Sequence, residues 1–108
     1  MAAVRILVDT DIFIDYFNAG QYAGVLEDRQ ATIYYSVVTR KELLGRFRLV
    51  PLTPAIAARY AAVRRSTPGL EREDALIAAT ALDKRLPLMT RNWRHSRRVP
   101  GLTLYSGR

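Results

Sequence analysis

Hydrophobic and polar positions along the chain fall into short apolar runs that alternate with longer stretches of helical period. "VRILVD" (Val4 to Asp9) is dense in β-branched and aliphatic residues, the composition of a parallel strand buried on both faces. Thr10 or Asp11 is placed to cap a following helix that carries Ile12, Phe13, Tyr16 and Phe17 inward, and Gly20 interrupts it. "QYAGVLEDR" reads as a short second helix and "ATIYYS" as a second strand. Ser36 then caps "VVTRKELLGRF", a third helix with Gly45 near its end. "RLVPLT" is extended, and Thr53-Pro54 opens "AIAARYAAVRR" by the rule that places a capping hydroxyl before a proline at the first helical position. After the turn "STPG", the stretch "LEREDALIAATALDKR" is the clearest helix, alanine-rich and without an internal breaker. Pro87 precedes a third strand, "LMT", and "LTLYS" supplies a fourth. Strands alternating with helices predict an α/β domain: a central parallel sheet of about four strands between helical layers, in a three-layer α/β/α arrangement.

Length fits one domain over residues 1–108, with no repeat, low-complexity segment or linker. Nearly half the residues are apolar, enough for a packed core, yet no apolar run is long enough to span a bilayer. Arg5 and Asp9 flank the first apolar stretch, which is the wrong pattern for a signal peptide, so a soluble cytoplasmic protein is expected. The chain has no cysteine, which excludes disulfides, thiol catalysis and cysteine-ligated zinc. Its one histidine, His95, excludes a paired-histidine ribonuclease mechanism. Formal charge is +7, almost all of it from arginine, whose planar fork suits phosphate. A polyanionic partner, nucleic acid above all, is the expectation, against a merely soluble basic surface or one that meets an acidic protein.

Against that basic background the acids are informative. Ligands of parallel α/β sheets bind beyond the carboxyl ends of the strands, which is where Asp9 falls, and where Thr90, Arg91 and Asn92 follow the "LMT" strand. Asp11 is explained by capping, and Asp15 reads as a solvated helix residue. Glu42 has Arg46 four residues on, a favourable helical ion pair that explains it without a site. Asp74 shares a helix face with Ile77, Ala78 and Ala81 and has no cation placed on its own helix to neutralise it. Burying such a carboxylate is costly unless a metal or a tertiary cation faces it. Glu71 and Glu73 favour the positive start of the same helix. Arg91, Arg94, Arg97 and Arg98 crowd one stretch around Trp93: either a phosphate grip with a stacking indole, or a solvated loop with a core tryptophan.

"LVDTDIFIDYF", "SVVTRKELL", "EDALIAATAL" and "LMTRNWRH" followed by "VPGL", taken in order, resemble the PIN domain, most of all the toxin ribonucleases of VapBC toxin–antitoxin pairs. The resemblance spans essentially the whole chain. It implies a metal-dependent endoribonuclease in which Asp9, Glu42 and Asp74 match the first three acids of the family. Mg2+, or Mn2+, would be the cofactor, RNA the substrate, and an antitoxin protein and a second copy of the chain the partners. Asn92 and His95 stand where a fourth acid often occurs, so Asn92 is a further candidate ligand and a second metal site is less secure. Thr90 and Asp11 support the site, and the arginines at 91, 94, 97 and 98 would hold RNA. The span from Glu42 to Asp74 is short for a VapC-like toxin, at the place of the helical arm that shapes the dimer and the antitoxin groove.

Two other readings compete. "VDTDIF" is similar to the Asp-x-Asp start of haloacid dehalogenase-type phosphatases, but Phe13 stands where a Thr or Val is expected and no acid follows Asp83. A PIN-like module that binds RNA or a partner without cutting would need neither metal nor Asp74.

Overall fold

The computed structural model describes residues 4–36 and 48–106. Its sheet has four strands, all parallel, in the order β3-β2-β1-β4. These are β1 (Val4–Val8), β2 (Ala31–Ser36), β3 (Arg48–Val50) and β4 (Leu88–Met89). Helices α1 (Thr10–Ala19) and α2 (Ala23–Leu26) lie between β1 and β2, and α3 (Pro54–Ser66) and α4 (Arg72–Lys84) between β3 and β4. The last element is α5 (Trp93–Ser96). The helix expected over 37–47, with its Glu42–Arg46 pair and Glu42 itself, lies outside the described residues; Ser36, expected to cap it, is the buried last residue of β2.

Side chains of β1 alternate between two cores because successive strand residues face opposite ways. Ile6 and Val8 pack with Ile12, Phe13, Val25 and Leu26 on one face of the sheet. Leu7 packs with Ile56, Val63, Ile77 and Ala78 on the other. Strand β4 divides likewise, Leu88 to the second core and Met89 to the first. Two helical layers therefore enclose one sheet, as the strand–helix alternation predicts.

Local signals explain the helix ends. Thr53 accepts a hydrogen bond from the Ile56 N–H (3.2 Å) ahead of Pro54, so α3 begins as its capping dipeptide dictates. Gly20 ends α1 in the left-handed conformation at φ 71°, donating its N–H to the Tyr16 carbonyl. Helix α4 runs from Arg72 to Lys84, one to two residues inside the predicted stretch, because Arg85 turns left-handed (φ 55°) after it.

Three expectations need correction. The fourth strand is Arg48–Val50; the segment at 102–106 touches β4 only through a Leu88–Leu104 bridge and two flanking backbone hydrogen bonds. Phe17 is not inward but 46% exposed, because the buried stripe of α1 narrows to Ile12 and Phe13. Neither Thr10 nor Asp11 caps α1: Asp9 does, accepting from the Thr10 N–H at 2.7 Å.

The strand order fixes where a site can form. The chain winds outward through β1, β2 and β3, then returns to place β4 on the other side of β1. A crevice opens at such a reversal, beyond the carboxyl ends of the two neighbouring strands.

Candidate active site

Asp9 follows β1 and Thr90 follows β4, and the Leu7–Leu88 and Val8–Met89 register brings the two together. The Asp9 N–H donates to the Met89 carbonyl (2.9 Å), which continues the ladder to the crevice floor. Asp9 is buried at 8% exposure. One of its oxygens takes the Thr10 N–H, and the other takes the Thr90 hydroxyl at 2.9 Å. Thr90, also buried, accepts the Asn92 N–H (3.1 Å) and reaches Asp11 at 3.4 Å, so one hydroxyl ties β1, α1 and the β4–α5 connection.

Asp74 enters from the first turn of α4, half-buried, and accepts a short hydrogen bond from the Asn92 side-chain amide. The Asn92 oxygen in turn faces the His95 Nδ1. Asn92 thus presents its nitrogen, not its oxygen, to the acid. This is the partner the sequence left open for Asp74: a neutral amide from α5's threshold in place of a cation.

Asp11 sits at the rim. The Arg91 backbone N–H approaches its two oxygens at 3.4 and 3.3 Å, and the Arg91 guanidinium lies 3.8 Å from it. The same guanidinium reaches Asp15 at 3.3 Å. Asp15 is therefore an ion-paired, largely covered residue and not a solvated one. Among the described residues, no lysine or arginine forms an ion pair with Asp9 or Asp74.

The electrostatics follow from this placement. Burial pushes the Asp9 pKa from 3.8 up to about 6; the charges of Asp11 and, less, Asp74 add to it, and the Thr90 and Thr10 hydrogen bonds offset part. Burial also raises Asp11, against the Arg91 N–H and guanidinium, and Asp74, against the Asn92 amide. Asp74 is close enough for its charge to be felt at Asp9. Three acids in one crevice all hold their protons more tightly than free carboxylates, the condition that an added cation relieves.

An oxygen-only donor set of this kind suits a hard divalent ion such as magnesium. Among the described residues each Asp9 oxygen accepts one hydrogen bond, short of the two a carboxylate oxygen can take. Among the described residues no three acid or histidine side chains close into a metal-holding group; Asp9 and Asp74 are the described candidates, and Glu42 lies outside the described residues.

The family profile of the PIN domain matches residues 33–101, well over half the chain. The chain belongs to the PIN-domain family. Solved structures agree in shape. A toxin–antitoxin complex from Klebsiella pneumoniae matches at TM-score 0.76 and 30% identity, over 91% of this chain and 95% of that one. VapBC2 from Rickettsia felis, bound to a promoter DNA fragment, matches at TM-score 0.79 and 18% identity, over 94% and 98%. VapBC-1 from nontypeable Haemophilus influenzae matches at TM-score 0.79 and 16% identity, over 94% and 97%. The last two show a shared fold. No curated protein matches the sequence significantly.

In this PIN domain the arginine-rich stretch begins at the crevice with Arg91 and continues through α5. Trp93, which could equally have been a core residue, is 45% exposed. The guanidiniums of Arg94 and Arg97 lie 5.3 and 5.6 Å from its ring centroid. Arg98 is exposed as well, while Arg91 is committed to Asp11 and Asp15. Thr90, expected to support the site, does so by reaching two acids at once. Asn92 as the amide donor to Asp74 had no sequence signal, whereas Asp9 is an ordinary helix-capping residue type and does cap α1.

Proposed function

We propose that the chain is a metal-dependent endoribonuclease, the toxin component of a toxin–antitoxin pair. Asp9 and Asp74, with Glu42, would hold Mg2+ or Mn2+, and residues 1–108 would form one PIN domain acting in the cytoplasm. The observation that carries the reading is the crevice itself, where buried Asp9 and half-buried Asp74 share a desolvated site without a lysine or arginine of their own among the described residues. A bound ion supplies Lewis acidity toward a phosphoryl oxygen and lowers the pKa of a coordinated water.

The chain's residues supply the rest. Thr90 fixes the Asp9 carboxylate, so its orientation does not have to be found during the reaction. Arg91 draws Asp11 and Asp15 toward the β4–α5 connection and anchors the start of α1 beside Asp9. Asn92 restrains Asp74 from the opposite side, and His95 holds the Asn92 oxygen. Arg94, Arg97 and Arg98 give the rim positive charge for the RNA backbone, offsetting the repulsion of the acids.

The toxin–antitoxin likeness supports an antitoxin partner; a second copy of the chain would be the other protein partner. Leu49 and Leu52 are more than half exposed. An apolar hollow of about 290 Å³ among Leu52, Ala57, Tyr60 and Leu76 suits a helix presented by such a partner.

A second reading, an RNA- or partner-binding PIN domain without catalysis, is favoured by one observation: neutral Asn92 takes the place of a fourth acid and already satisfies Asp74. One assay separates the two. Single-stranded and structured RNA are incubated with wild type and Asp74→Asn, with magnesium, manganese or chelator. Metal-dependent cutting lost in the variant supports the nuclease; binding without cutting in either protein supports the module, and cutting that survives chelator and substitution rules out the carboxylate mechanism.

A further inference from the structure

Beside the acidic crevice lies a second cleft. It encloses about 500 Å³, within the range of roughly 300–1,000 Å³ of small-ligand sites. Three rings, Tyr22, Trp93 and Tyr105, line it, with Ile12 and Met89 as its apolar floor. Thr90 and Arg91 form a wall that it shares with the crevice, and both bind its acids: Thr90 holds Asp9 and Arg91 holds Asp11.

Two features mark this cleft as more than loose packing. Tyr22 is left-handed at φ 66°, a backbone conformation that a bulky aromatic residue rarely adopts and only at a cost. The cost places its ring in the cleft wall at the entrance to α2, although the Tyr22 side chain makes no cap there. Trp93 is the second: it is nearly half exposed at the cleft, with two guanidiniums gathered at its ring. An apolar peptide side chain has no use for that rim of charge. A group that is flat and aromatic at one end and anionic at the other uses both.

We infer that this cleft is a base-binding subsite: it receives an unpaired nucleobase of the nucleotide next to the phosphate held at the acids, with Arg94 and Arg97 at the phosphate on the far side. The inference rests on the ribonuclease reading, since it takes RNA as the substrate and the crevice as the phosphate site. Rings that accept the π-face of any base give affinity with little sequence preference, and each stacked base contributes on the order of tenfold in binding. The subsite would therefore select single strands, whose bases can leave the stack, over duplex.

Trp93 is the only tryptophan in the chain, so its fluorescence reports on the cleft directly. End-labelled tetraribonucleotides, intact or abasic at one position, are titrated against the full chain in chelator, following tryptophan emission and label anisotropy together. Intact tetramers are expected to quench Trp93 saturably and to bind about tenfold more tightly than the tetramer abasic at the subsite. Tyr105→Leu, which keeps apolar volume, and Tyr22→Gly, which suits the positive φ and so should fold, are expected to reduce that advantage to about twofold or less. Equal affinity for intact and abasic tetramers, no binding, or an advantage that survives both substitutions would overturn the subsite. Magnesium-dependent cutting by the same preparation distinguishes the two claims. Cutting without base dependence removes the subsite alone, and base-dependent binding without cutting removes the nuclease alone.

Discussion

Asp9 and Asp83 are both carboxylates of a strongly basic protein, and the protein treats them differently. Asp83, near the end of α4, lies 3.5 Å from Arg59 and 3.8 Å from Lys84. Asp9, beyond β1, is more deeply buried, receives hydrogen bonds but no ion pair among the described residues, and feels Asp11 and Asp74 instead. Among the described residues, cations are therefore placed against Asp83 and none is placed against Asp9. Among the described residues, Asp83 and the rim acid Asp11 are neutralised by basic side chains of the chain, whereas Asp9 and Asp74 pair with no lysine or arginine.

The largest way to break that contrast is catalytic. Asp9→Asn or Asp74→Asn should lower magnesium-dependent RNA cleavage at least ~1,000-fold, the several kcal/mol of charge stabilisation a bound ion provides. Asp83→Asn should change it less than about twofold. Equal losses in single-turnover cleavage would erase the distinction between the two regions.

Stability should show the contrast next. With its pKa raised from 3.8 to about 6, Asp9 favours the fold fully below about pH 4, where it is protonated in both states. That contribution is lost as pH rises through about 6, where the folded acid must ionise in its buried place. The difference amounts to on the order of 3 kcal/mol in metal-free buffer. Asp9→Asn should lack this share of the pH dependence in urea unfolding followed from pH 4 to 7.5. Asp83→Asn should cost no more than about 1 kcal/mol, as for other exposed pairs. A wild type whose stability is flat across that window would refute the assigned burial of Asp9.

A smaller effect sharpens the site's inner geometry. Thr90→Val removes the hydroxyl shared by Asp9 and Asp11 and should weaken manganese binding by roughly 10-fold, read by calorimetry. Smallest is the control away from the crevice. Thr53→Ala removes the α3 cap at a cost of about 1 kcal/mol and should leave metal binding unchanged.

How far these outcomes were legible in the sequence depends on the reach of the interactions. Strand β1, the Thr53-Pro54 start of α3 and the body of α4 were readable because apolar period and caps are local. So was the position of Asp9, since a parallel sheet puts ligand chemistry at its strand ends. Partners more than a dozen residues away were not. Nothing near Asp74 announces Asn92, nothing near Asp15 announces Arg91, and only the sheet order joins Thr90 to Asp9. Trp93 shows the limit of burial expectations, because its apolar surface is shared between a cleft wall and two arginines. The segment at 102–106 has the composition of a strand but meets β4 at one bridge only, so pairing, not propensity, decided its state.

Binding of manganese to metal-free protein at pH 7.5, followed by calorimetry in wild type, Asp9→Asn, Asp74→Asn and Asp83→Asn, tests the central claim most directly. The account predicts a saturable site in wild type and Asp83→Asn that is lost in both crevice variants. Undiminished binding in Asp9→Asn and Asp74→Asn, or none in wild type, would contradict it.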